Sequence, residues 1–132
     1  MGAWGALAFD NDNANDWAYD LEETSDLSLV ETAFAAVGDA ETYIDSDDAC
    51  NALAACEVLA RLRGNFGYRN AYTKKVDVWV AKHPCVPPQE LLARAASVID
   101  RILGDDSELN ELWAGSSEWL EAVADLRRRT VG

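Results

Sequence analysis

A chain of 132 residues sets the scale of one domain, and at that length folding buries roughly two-thirds of the unfolded surface, so no disulfide or metal staple is required. Hydrophobic residues make up 49% of the chain, with five Trp, which excludes a disordered composition, and no apolar run approaches the ~20 residues that span a bilayer. The net charge of −13 is unevenly placed: residues 1–60 hold fourteen Asp/Glu and no Lys or Arg, whereas residues 61–132 hold eleven Lys/Arg against ten Asp/Glu.

That distribution disfavours nucleic acid, because phosphate binding needs a basic footprint. It allows a basic partner protein, since a field of one sign speeds encounter. It also allows an internal use, with the acidic half paired against Arg61, Arg63 and Arg69. The N-terminus lacks a basic stretch followed by an apolar one, so no signal peptide is read and a cytoplasmic location is expected. Cys50, Cys56 and Cys85 are odd in number and lack metal-ligand spacing. They are read as small buried hydrophobes, with Cys50 and Cys56 on different faces of one helix.

Residues 2–11 read as an irregular lead, jointed by Gly2 and Gly5, whose Trp4, Leu7 and Phe9 dock on the helices. Asp12 is the expected N-cap of a first helix over 13–24, with Ala14, Trp17, Ala18 and Leu21 on its buried face. Ser28-Leu29-Val30-Glu31 matches a capping box and opens a second helix over 29–38, ended by Gly38. Tyr43 and Ile44 are expected to pack within a connection. Ser46 caps a third helix over 47–63, where Asp47 and Asp48 suit the positive end of the dipole. Apolar residues cover most of that helix, leaving a narrow polar stripe of Asp47, Asn51, Glu57 and Arg61. A helix so apolar is surrounded by others, so it is expected at the centre.

Gly64-Asn65-Phe66-Gly67 breaks that helix and opens a loop over 64–72. A fourth helix over 73–83 follows, burying Val76, Trp79, Val80 and His83; the alternation of Val76, Val78 and Val80 also suits a strand, and helix is preferred. Pro88 fits the first turn of a fifth helix with Leu91, Leu92, Ala95, Ile99, Ile102 and Leu103 inward, ended by Gly104. Ser107 caps a short sixth helix with Leu109, Leu112 and Trp113 inward. Gly115 ends it, and Ser116 or Ser117 starts a last helix with Trp119, Leu120, Val123 and Leu126 inward. Arg127-Arg128-Arg129 then lies where the helix dipole favours positive charge. The expectation is an all-α fold: one domain over 1–132, a bundle of six to seven helices around the helix near 47–63, behind an irregular N-terminal lead.

The run Met1-Gly2-x-Trp4-Gly5-x-x-x-Phe9-x-Asn11-Asp12-x-Ala14-x-Asp16-Trp17 resembles the opening of the DUF4259 family, small bacterial proteins with no assigned activity. Trp79-Val80-x-x-His83-Pro84 and Ser107-Glu108-Leu109-x-x-Leu112-Trp113 are similar to that family's later helices. The resemblance implies a mostly helical bacterial domain. It carries over no catalytic residues.

The densest polar stretch is Asp10-Asn11-Asp12-Asn13-Ala14-Asn15-Asp16. Its oxygens suit Ca²⁺ or Mg²⁺ in type, yet an EF-hand register puts Ala14, Asn15 and Leu21 where an oxygen ligand, Gly and the bidentate Glu belong. Three uses remain: a helix cap with satisfied turn groups, a metal site outside the EF-hand pattern on Asp10, Asp12 and Asp16, or a polar recognition surface of Asp10, Asn11, Asp12 and Asp16 framed by Trp4 and Trp17. His83 is the only histidine and has no imidazole partner for zinc. No nucleophile elbow or phosphate-binding glycine loop occurs. No cofactor is called for. The leading expectation is a non-enzymatic acidic interaction module for a basic protein, one form being an immunity-type inhibitor of a basic toxin enzyme. The alternative is a metal- or small-ligand-dependent enzyme or sensor built on the Asp10–Asp16 cluster.

Overall fold

The computed structural model describes Ala3 and residues 5–132. Seven helices run in order: α1 Asp12–Glu22, α2 Ser28–Gly38, α3 Ser46–Leu62, α4 Lys74–Lys82, α5 Gln89–Ile102, α6 Glu108–Trp113 and α7 Ser117–Val131. Among the described residues no strand forms; the only ladder contacts are the isolated bridges Ala3–Asn11 and Ile44–Ser107. No described helix is long and apolar enough to cross a membrane.

Helix α3 is the axis and packs against each of the other six. Every residue from Ala52 to Arg61 is buried. Alanines at 49, 52, 54, 55 and 60 make this possible, because short side chains let surrounding helices approach on all sides. The apolar faces of the other helices close on this axis: Trp17 and Leu21 from α1, Val30 and Phe34 from α2, Val76 and Trp79 from α4, Ile99 and Ile102 from α5, and Trp119 and Val123 from α7. The 73–83 segment is helical, as the position of Trp79 favours over the valine alternation.

Several helix starts sit one residue earlier than the sequence suggests. The α1 cap is Asn11, not Asp12: its Oδ1 accepts from the Ala14 amide at 2.8 Å while its Nδ2 donates to the Ala8 carbonyl at 3.1 Å. An amide makes both bonds, whereas a carboxylate has nothing to donate. Asp12 therefore falls in the first turn. At α2 the Ser28 hydroxyl is spent on Asp26, which accepts from both its Oγ and its amide, so Ser28 enters the helix and Leu27 precedes it without a side-chain cap. Asp45 replaces Ser46 as the α3 cap, accepting from the Asp48 amide at 3.0 Å, while the Ser46 amide donates to Glu108. Pro88 stands just before α5 rather than in its first turn. Ser107 caps α6 as expected.

Some expected core residues are outside. Leu112 is 51% exposed and Leu120 is 40% exposed, since α6 and α7 are one-sided surface helices whose inward stripes are narrower than the run of leucines. Leu7 and Tyr43 are also exposed, although Ile44 beside Tyr43 is buried. Of the cysteines only Cys56 is fully buried; Cys50 is half-buried and Cys85 is exposed.

Candidate functional site

The Asp/Asn cluster holds the N-terminal lead. The Asp10 carboxylate accepts from the Leu7 amide at 3.1 Å, and Asn15 donates to the Phe9 and Asn11 carbonyls, each at 2.8 Å. Phe9 is wholly buried, so these polar ties flank an apolar plug. Gly5 permits the fold-back: a Cβ there would lie 2.3 Å from Asp10 Oδ2. Asp12 and Asp16 are exposed, and Trp17 faces the core rather than framing a surface. Trp4 lies outside the described residues. Among the described residues no three His, Cys, Asp or Glu side chains gather where a metal could sit.

The lead leaves a small cleft against α3, α6 and α7, lined by Asn11, Asn13, Asp47, Cys50, Trp113 and Trp119. Its volume of about 40 Å³ suits one or two waters, far below a metabolite site. Burial, reinforced by Asp47 and Asp45, pushes the Cys50 thiol up to about 12. It stays protonated at neutral pH and is no nucleophile. His83 packs on the Trp79 ring at 4.7 Å, with Nδ1 3.0 Å from the Trp79 carbonyl oxygen. That is the packed, helix-end role its position suggested.

The largest departure from the sequence reading lies at the C-terminal end of α3. Glu57 and Arg61, read from the sequence as part of a narrow polar stripe, are each 1% exposed. Arg61 Nη1 donates to Glu57, its Nε to Asp77 at 2.7 Å and its Nη2 to the Tyr68 carbonyl at 2.6 Å. Arg129 from α7 clasps the same Glu57 carboxylate with both terminal nitrogens, at 2.9 and 3.1 Å, and sends Nε to Asp125 at 2.7 Å. Arg129 is thus more than a charge placed for a helix dipole. A signal was present: Glu57 and Arg61 are the only charged residues between Asp48 and Arg63, four apart on a helix too apolar to reach water.

The rest of the acidic half behaves differently. Of its fourteen carboxylates, only Glu57 has a cationic side chain within ion-pair distance among the described residues. The expected pairing with Arg63 and Arg69 does not form. Arg63 donates to the Thr130 carbonyl, and Arg69 lies over the Phe66 ring at 4.0 Å. Asp12, Asp16 and Asp20 are exposed at helical spacing along α1 and Glu23 is exposed just past its end, with Tyr19 beside them. Glu31, Asp39, Glu41, Asp45 and Asp47 continue the exposed negative charge onto α2, the connector and the start of α3.

Neither the curated proteins nor the solved structures give a match to this chain. The family described as "Domain of unknown function (DUF4259)" matches residues 2–124, nearly the whole chain from the N-terminal lead into α7. The protein belongs to the DUF4259 family.

Proposed function

We propose that this protein is a non-enzymatic interaction module whose acidic face receives a partner with a basic surface. One observation carries the reading: the carboxylates of α1, α2 and the start of α3 are exposed and lack internal counter-ions among the described residues. Unpaired charge of one sign destabilises a compact state by self-repulsion, and its benefit lies in solubility and in steering an oppositely charged partner. A basic enzyme blocked by such a complex would make the protein an inhibitor.

The test is affinity capture from host lysate with the wild-type chain and with Asp16→Lys/Asp20→Lys, at low and at molar salt. The expected result is a basic protein recovered in stoichiometric amount at low salt, released at high salt and missed by the double variant. Screening to roughly 3 Å at 1 M ionic strength removes long-range attraction between exposed charges. Capture that persists in molar salt, or that the charge reversal leaves intact, would overturn the proposal.

A further inference from the structure

We infer that the 64–72 loop and the last turn of α7 form one polar latch keyed on Glu57, and that this latch opens as a unit while the helical core stays closed. The inference stands apart from the acidic face and its partner.

The loop is fastened by polar ties that converge on two arginines. Arg129 Nη1 reaches the Asn65 and Phe66 carbonyls at 3.3 and 3.2 Å, and Asn65 Nδ2 returns a bond to the Arg129 carbonyl at 2.9 Å. Arg61 holds the Tyr68 carbonyl, and Arg63 ties the end of α3 to Thr130. Both Arg61 and Arg129 are held in turn by the buried carboxylate of Glu57. Asp77 steadies Arg61 from α4, and Asp125 steadies Arg129 from α7.

Within the 64–72 loop itself apolar packing is limited. Phe66 and Tyr68 are half-buried and stand outside the hydrophobic core cluster. Their rings face guanidinium groups: Arg61 lies 5.7 Å from the Phe66 centroid and 5.1 Å from that of Tyr68, and Arg129 lies 5.9 Å from Tyr68. Gly64, Asn65, Gly67 and residues 69–72 are exposed. A segment held by polar bonds that water can replace opens at lower free energy than a segment held by core burial. Gly67 completes the device. It has φ +70°, and a Cβ there would meet Arg129 Nε at 2.4 Å, so glycine lets the arginine lie across the loop.

The test is native-state amide hydrogen exchange on the full chain. The reporters are Asn65, bonded to the Ala60 carbonyl, and Gly132, bonded to Arg128; the reference is the amides of α2 and α5. Glu57→Gln keeps the shape and removes the charge. The expected result is that in the wild-type chain the reporters open at lower free energy and with weaker denaturant dependence than the amides of α2 and α5, and that Glu57→Gln speeds exchange at the reporters by about tenfold or more. Wild-type reporters that open only together with α2 and α5 would place the loop in the global core, and no acceleration in Glu57→Gln would remove Glu57 as the key; either overturns the inference. If Glu57→Gln does not fold, Arg129→Lys decides by the same readout. It keeps the charge and loses the fork on Glu57 and the loop carbonyls, so faster exchange at the reporters supports the latch and unchanged exchange there refutes it.

Discussion

The two ends of α3 carry the same kinds of side chain and treat them in opposite ways. At the N-terminal end Asp45 caps the helix, Asp47 lies exposed in its first turn, and neither finds a cation within reach among the described residues. At the C-terminal end Glu57 is sealed between Arg61 and Arg129. A carboxylate in the first turn is favoured by the helix dipole and by water, so it needs no partner and leaves its field in the solvent. A carboxylate in the fourth turn of a fully surrounded helix has neither, and it persists only because guanidinium groups replace the lost hydration. One end of the helix therefore sets how the surface looks to other molecules, and the other sets where a loop and a chain terminus are held.

The sharpest way to break this contrast is to remove one partner at each end. Arg61→Ala leaves Glu57 and Asp77 short of a buried counter-charge and is expected to lower unfolding free energy by about 3–5 kcal/mol in denaturant titration. Asp47→Ala, exposed and unpaired, should change it by about 0.5 kcal/mol or less. Similar losses at the two sites would show that burial does not separate them. Gly67→Ala comes next: it forces a left-handed backbone onto alanine and a Cβ onto Arg129, with an expected cost of about 1–3 kcal/mol by thermal or denaturant melting. Asn65→Ala lacks that steric conflict and should cost less.

The outward end was legible in the sequence and the inward end was not. Apolar spacing placed all seven helices and picked α3 as the axis, because a helix with one thin polar stripe has to be enclosed. The same reading allowed the acidic half to pair with Arg61, yet it named neither Glu57 as the partner nor Arg129 as the second cation. Local pattern does not reveal that α7 brings Arg129 back to Glu57 from 72 residues away. Cap identities slipped by one residue for a related reason. Asn11 outcompetes Asp12 because it also bonds the Ala8 carbonyl, a contact that depends on the path of the lead. In the Asp/Asn cluster the side chains of Asp10, Asn11 and Asn15 bond the backbone around Phe9, as the cap-and-turn use expects, whereas Asp12 and Asp16 stay exposed.

Smaller substitutions sharpen the view of the outward end. Asp45→Ala and Asn11→Ala each remove a side-chain cap and are expected to cost about 1 kcal/mol, whereas Ser46→Ala and Asp12→Ala should cost a few tenths at most. Melting temperatures of the four variants, measured under one condition, rank the true caps against the residues that sequence pattern favours. A larger loss at Ser46 or Asp12 would reverse the assignment.

The smallest effect is also the most direct, because acid acts on the two ends with opposite sign. Burial and the adjacent Asp45 and Asp47 raise the Asp48 carboxyl above its ordinary value of 3.8. A raised carboxyl gives relative stability that is present below 3.8 and is lost as pH climbs through the raised value. The Asp125 carboxyl is lowered, chiefly by its bond to Arg129 and then by that residue's charge and by Arg128. Its contribution is present above 3.8 and is lost as pH falls through the lowered value. Asp48→Asn should therefore melt above wild type at pH 7, with the gap closing on acidification. Asp125→Asn should melt below wild type at pH 7, and its deficit should also close, at a lower pH. Both carboxylates are partly exposed, so each shift is small and solvent-screened, and the sign carries the information. Melting curves from pH 7 down to acid, with the same sign of shift for both variants, would show that the two ends of α3 do not differ in the way their charges are held.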